Sequence, residues 1–158
     1  MKAIIFFIIF SLSSICLKAQ AISAMGSWSV VVPSNTISEA GNDYNMNLTS
    51  MTNQTMLDIT VPLSTTNWRV DVNKQDLYWN NSLTLWIRKT GDGVGVAGSS
   101  ISPVGAIPFF QIANMGQSFF SGVKNYVGIP VQYEIRGLSV LIPASTYNTT
   151  VVYTITEY

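Results

Sequence analysis

Apolar and polar side chains alternate through almost the whole chain after residue 19, and no segment carries a sustained helical period. A period of two is what a strand with one buried and one wet face requires, because successive side chains point to opposite sides. Trp28-Ser29-Val30-Val31-Val32 reads as a strand closed by Pro33-Ser34-Asn35, and Tyr44-Asn45-Met46-Asn47-Leu48-Thr49 as a second. Leu57-Asp58-Ile59-Thr60-Val61, ended by Pro62, is a third, followed by Trp68-Arg69-Val70-Asp71-Val72 and Leu83-Thr84-Leu85-Trp86-Ile87-Arg88. Thr90-Gly91-Asp92-Gly93 predicts a turn into Val94-Gly95-Val96. Between residues 98 and 125 glycines and prolines interrupt the pattern, which predicts one or two short strands with long connections. Alternation returns in Ile129-Pro130-Val131-Gln132-Tyr133-Glu134-Ile135-Arg136. Leu138-Ser139-Val140-Leu141-Ile142 predicts a further strand before the turn Pro143-Ala144-Ser145, and a Thr/Val-rich strand closes the chain. Short strands at close spacing, joined by Gly, Pro, Asn and Ser, predict an all-β fold: a single antiparallel immunoglobulin-like β-sandwich of about 7–10 strands.

The first nineteen residues have a different logic. Lys2 precedes the unbroken apolar run Ala3 to Phe10, and Lys18-Ala19-Gln20-Ala21 supplies small residues for cleavage. That is the order of a secretory signal peptide, with the cut after Ala19 or after Ala21. The apolar block is shorter than the roughly 20 residues a membrane span needs, so no span is expected after processing. Cys16 follows Ile15 rather than the small residue of a lipid-anchor motif, and leaves with the leader. The organisation expected is a leader over 1–19, an N-terminal extension over 20–27 and a β-sandwich over 28–158.

Removing the leader changes the charge. The full chain carries eight Lys+Arg and eight Asp+Glu; without Lys2 and Lys18 six basic residues face eight acidic ones, a net charge of −2. Nucleic acid is excluded as a partner, since it demands a basic footprint. The processed chain has no Cys, so export brings no disulfide, and a chain of this size without cystines points to a bacterial source. Asn47, Asn53, Asn80 and Asn148 begin sequons, as chance also allows in a chain rich in Asn and Thr.

The absence of His removes the commonest general base and metal ligand. Asp58, Asp71 and Glu134 fall at the polar positions of alternating strands, where a solvated face is the ordinary role, and no facing pair of carboxylates is nominated. Lys74, Lys89 and Lys124 lie in no Ser–Lys motif. Asp71 to Asp76 resembles part of a calcium loop but lacks its Gly and closing Glu. Gly91-Asp92-Gly93-Val94-Gly95 precedes no helix, so it reads as a hairpin turn rather than a phosphate cradle. The expectation is a non-catalytic protein without metal or cofactor.

The aromatic residues offer core packing or a sugar-stacking platform. Trp86 is out of phase with Leu83, Leu85 and Ile87, on the face of Thr84 and Arg88, and Tyr78-Trp79 beside Asn80-Asn81 reads as an exposed loop tip. Tyr78, Trp79 and Trp86 are therefore the candidate glycan-binding residues.

Pro143-Ala144-Ser145-Thr146-Tyr147 followed by Val151-Val152-Tyr153-Thr154-Ile155-Thr156 resembles the closing segment of bacterial fimbrial and spore-coat-U-type secreted subunits. The resemblance covers residues 127–158; Ser145 and Thr146 stand where a Gly is more usual, and the disulfide common in such subunits is absent. It implies assembly through edge strands with homo- or hetero-subunits, after handling by an export chaperone and usher. The residues it nominates are Ile22, Ala24, Gly26 and Trp28 of the alternating N-terminal stretch, as a donor strand, and Val151, Tyr153, Ile155 and Tyr158 of the last strand. The same N-terminal residues also read as a tail leading into the chain's own first strand. The functional expectation is an exported, non-catalytic surface or fimbria-like subunit, adhesion included; the alternative is a secreted carbohydrate-binding module.

Overall fold

The structure, a computed structural model, describes residues 20–32, 43–44, 46–62 and 67–158. The expected leader and Cys16 lie outside the described residues. Eleven strands, three of them in the range of two residues, form two antiparallel sheets, and no helix occurs among the described residues. None of these residues therefore forms a helix long and apolar enough to cross a membrane. The protein is an all-β sandwich.

In chain order the strands are β1 (Ala21–Met25), β2 (Leu48–Thr49), β3 (Thr55–Thr60), β4 (Trp68–Tyr78), β5 (Thr84–Lys89) and β6 (Val94–Gly95). They continue with β7 (Ser100–Ser102), β8 (Phe110–Gln111), β9 (Gln117–Val123), β10 (Tyr126–Arg136) and β11 (Asn148–Glu157). The first sheet runs β1-β3-β10-β5-β8, with β2 and β6 also paired to β10; the second runs β11-β4-β9-β7. β10 is long enough, at eleven residues, to hold four neighbours, and a register shift between Tyr126 and Ile129 is absorbed at Gly128, where φ is +69° and the N–H donates to Asp58 Oδ1 at 2.7 Å.

The apolar phase of each alternating run points inward. Leu57 and Ile59 of β3, Val70 and Val72 of β4, Leu85 and Ile87 of β5 and Ile129 and Val131 of β10 are buried in one core. At its centre lies Trp68, fully buried, with Phe120 and Tyr126 edge-on at 6.0 and 6.1 Å and its indole N–H donating to the Lys124 carbonyl at 2.7 Å. Gly122 faces this ring on the neighbouring strand; a Cβ there would run into the indole and lie 2.7 Å from the Ser100 carbonyl.

Three parts of the expected strand pattern differ. Residues 28–32 form no ladder: the chain leaves β1 through Gly26, at φ +135° against the Gln54 carbonyl, and the Trp28 ring stacks on Tyr133 at 6.4 Å. Of the described residues between 44 and 49 only Leu48–Thr49 pairs. Residues 138–142 form no strand: the chain turns at Val140–Leu141, where the Val140 N–H goes to Asp43, the Leu141 N–H to the Ser139 hydroxyl and the Ile142 N–H to the Ser139 carbonyl. Conversely, residues 98–125 hold three strands, with Phe119 and Phe120 of β9 buried in the core. The stretch expected as an N-terminal extension contains β1, paired residue for residue with β3 of its own chain from Ala21↔Thr60 to Met25↔Met56.

β5 ends on an inward-pointing cation. Lys89 follows the phase of Leu85 and Ile87, is wholly buried, and donates to the Asp92 carboxylate and to the Pro103 carbonyl at 2.8 Å. Asp92 also accepts the Gly105 N–H through both oxygens. Burial acts upward on the Asp92 carboxyl, but Lys89 and the Gly105 N–H outweigh it and hold it below the ordinary value. Asp92→Ala, which strands the ammonium, is expected to cost about 2–3 kcal/mol because the pair is largely buried. Asp71→Ala in the exposed Arg69 pair should leave the denaturation midpoint essentially unchanged. Chemical denaturation of the two variants makes the comparison. Because the folded carboxyl is the stronger acid, its contribution is complete above about pH 4 and is lost as pH falls through the lower folded value. Gly122→Ala, in turn, is expected to cost about 3 kcal/mol by overpacking Trp68, read as a lowered melting temperature.

Candidate functional site

β11 owes its form to β-branched and aromatic residues, which favour a pleated surface. It pairs with β4 over its whole ten residues, and no other strand among the described residues pairs with its far side. Val151, Tyr153 and Ile155 turn inward against the core, while Thr150, Thr154 and Thr156 are exposed on the opposite face. In an antiparallel ladder, N–H and C=O groups point alternately to one neighbour and the other. The Ile155 carbonyl accepts the Gln20 side-chain amide at 3.3 Å, which fixes the phase: Val151, Tyr153 and Ile155 direct their backbone groups to the open side.

Across the sandwich from β11 lies β1, the edge of the other sheet. Ile22 is half-buried and packs on the core; Ala24 and Gly26 are exposed, and Met25 is 56% exposed. Of the nominated interaction residues, Ile22, Trp28, Val151, Tyr153 and Ile155 thus spend their side chains on their own core. Tyr158 is exposed, with its N–H on the Asn67 carbonyl. What these elements leave for a partner is the backbone edge.

The two sheets are tied behind this edge by hydroxyls. Tyr133 of β10 donates to Thr55 Oγ1 at 2.9 Å and shares a 2.7 Å hydrogen bond with the Tyr153 hydroxyl of β11. Burial pushes both phenols up, Tyr153 well above its ordinary value, so both stay protonated at neutral pH. Sequence reading singled out Tyr153 but missed Tyr133 and Thr55; nothing in the alternation reveals that two inward tyrosines from different sheets meet.

The aromatic candidates are each engaged by their own chain. Tyr78 stacks on Tyr147 at 5.7 Å with nearly parallel rings. Trp79 donates its indole N–H to the Leu83 carbonyl at 2.8 Å, packs on the core and lies under Lys74. It is half-buried rather than a free loop tip. Trp86 does stand on the outer face with Thr84 and Arg88, but the Arg136 guanidinium covers its ring at 3.8 Å. The same face holds Glu134, which accepts from Thr49 at 3.0 Å, from Asn47 and from Arg136, and Arg88, which lies over Phe109 at 4.6 Å and donates to Gln132.

Among the described residues, the fold moves the carboxyls of Asp43, Asp76 and Asp92 down and the phenols of Tyr133 and Tyr153 up. The Val140 and Tyr44 N–H groups hold Asp43 below the ordinary carboxylate value. At Asp76 burial acts upward, but Lys74, Thr149 and Asn114 together bring it lower. No group of three metal-ligating side chains occurs among the described residues. Comparison with known protein families, with curated proteins and with solved structures finds no match for the chain.

Tyr133→Phe, which leaves Thr55 without its donor and Tyr153 without its partner, is expected to cost about 1–2 kcal/mol. Tyr153→Phe should cost less, since Tyr133 keeps Thr55. A double-mutant cycle on urea melts measures the coupling; additive losses would show that the bond does not tie the sheets.

Proposed function

We propose that the chain is an exported, non-catalytic surface or fimbria-like structural subunit that joins its neighbours by strand addition, with adhesion among its uses. The observation that carries this reading is the open edge of β11, whose inward side chains pack on the core and whose outward backbone groups at Val151 and Tyr153 offer a ladder to another strand, short of Ile155 where Gln20 binds. An uncovered strand of this length is an aggregation hazard unless it is blunted or occupied, and β11 carries one charged residue, Glu157, at its end. An export leader over residues 1–19 fits the same role, as does handling by a chaperone and usher during export.

A second reading, a carbohydrate-binding module, is favoured by the outer face of the first sheet, where Trp86, Arg88, Glu134 and Arg136 lie among polar neighbours. There a sugar would have to displace Arg136 from the Trp86 ring. Glycan binding lost in Trp86→Ala, by a protein that stays monomeric, would favour this module.

Val151→Pro separates the two readings. Its N–H points to the open side, so proline removes no bond to β4 while blocking an incoming strand. The exported wild-type protein is expected to form higher-order species in size-exclusion chromatography and electron microscopy. The variant, checked by its melting curve to be folded, should shift at least about tenfold towards monomer, a change of about 1.4 kcal/mol in association. A wild-type protein that is monomeric at every concentration sinks the subunit reading.

A further inference from the structure

We infer that Gln20 is a modification site: freed as the first residue of the processed chain, it cyclises to pyroglutamate, and the uncharged ring closes the seam between β1 and β11. The inference rests on the export reading above, since it needs a leader to be removed.

The structure chooses between the two cleavage points. A cut after Ala21 would delete Ala21, which faces Thr60 in the β1–β3 ladder, together with Gln20, whose side chain bridges to β11. A cut after Ala19 leaves β1 whole and makes Gln20 the terminus. That side chain is half-buried and turned towards the other sheet. Its Nε2 donates to the Ile155 carbonyl at a long 3.3 Å, and its Oε1 is buried without a hydrogen-bond partner, alone in this respect among the described residues. An orphaned buried acceptor is uncommon enough to need a cause.

As an ordinary terminus, Gln20 would also bring an ammonium, largely protonated at neutral pH, into this half-buried place. Cyclisation removes it. The α-amine nitrogen attacks Cδ, the new Cδ–N bond forms as the Cδ–Nε2 bond breaks, and Nε2 leaves as ammonia with the proton the amine gives up. No oxidant or co-reactant is consumed. The lactam keeps one N–H and one C=O on the same side of its ring. Ile155 presents its own C=O and N–H together on the open side of β11. The lactam N–H and C=O therefore match in type the acceptor and donor that Ile155 presents, and the ring replaces an amide that leaves its Oε1 unpartnered.

The test is the intact mass and N-terminal peptide of the full chain after export through its own leader. The expected species is residues 20–158 lighter by one ammonia, blocked to stepwise N-terminal degradation until treated with pyroglutamyl peptidase. Residues 20–158 with a free amine would overturn the inference and leave the export reading standing, as would a chain beginning at Ile22. A chain still beginning at Met1 would overturn both. Gln20→Ala, which cannot cyclise, tests the sealing role: with its cleavage point checked by mass, its melting temperature is expected to fall by about 2–4 °C. An unchanged midpoint would overturn that role.

Discussion

The burial of Trp68 is the constraint on which both sheets depend. The ring belongs to β4 of the second sheet, touches Tyr126 of the first, and anchors through its N–H the Lys124 carbonyl, where the chain passes from β9 to β10. Lys124 sits in the left-handed region, at φ +64°, a conformation that is strained for a side chain and persists where the surroundings hold it. The indole bond and the Lys124 ammonium on the Ala97 carbonyl supply that hold. Gly122 gives the ring its room. Without a disulfide, this one large side chain aligns the faces that the other core residues then fill.

Much of that architecture is legible in the sequence. The runs around Leu57, Val70, Leu85 and Val131 alternate in sequence and lie in strands with these residues inward. Gln132 and Glu134, at polar positions where a solvated face is the ordinary expectation, are buried as well by their hydrogen bonds to Arg88, Ser50, Thr49 and Arg136. Reading fails where local chemistry supplies a competing partner. Val140 lies in an apolar run, but Asp43, far off in sequence, takes its N–H. Trp28 to Val32 is rich in strand-forming residues, yet the turn at Gly26 sends it over Tyr133 instead of along a neighbour. Lys89 reads as polar and is buried, because its place in the β5 phase is fixed by Leu85 and Ile87 and its charge is met by residues further along.

The candidate site is less legible than the fold. That residues 148–157 form a strand follows from their composition; that the strand lies at an edge does not, because sheet order is set by contacts far apart in sequence. Tyr78, Trp79 and Trp86 show the converse. Their types suggest a shared platform, whereas Tyr147, Lys74 and Arg136 each claim one of them. The side chains most suggestive of recognition are thus spoken for internally, whereas the outward main-chain groups of Val151 and Tyr153 pair with no other strand among the described residues.

The direction in which the fold moves its titrating groups has a consequence for the environments the protein can enter. Asp43, Asp76 and Asp92 are drawn to lower values, and Tyr133 and Tyr153 to higher ones. No histidine occupies the middle of the scale. Acid and alkali are thereby pushed apart, leaving a broad plateau over which these groups keep their charge. On these five residues the domain carries no internal pH sensor, and each keeps the same protonation state across ordinary swings in acidity.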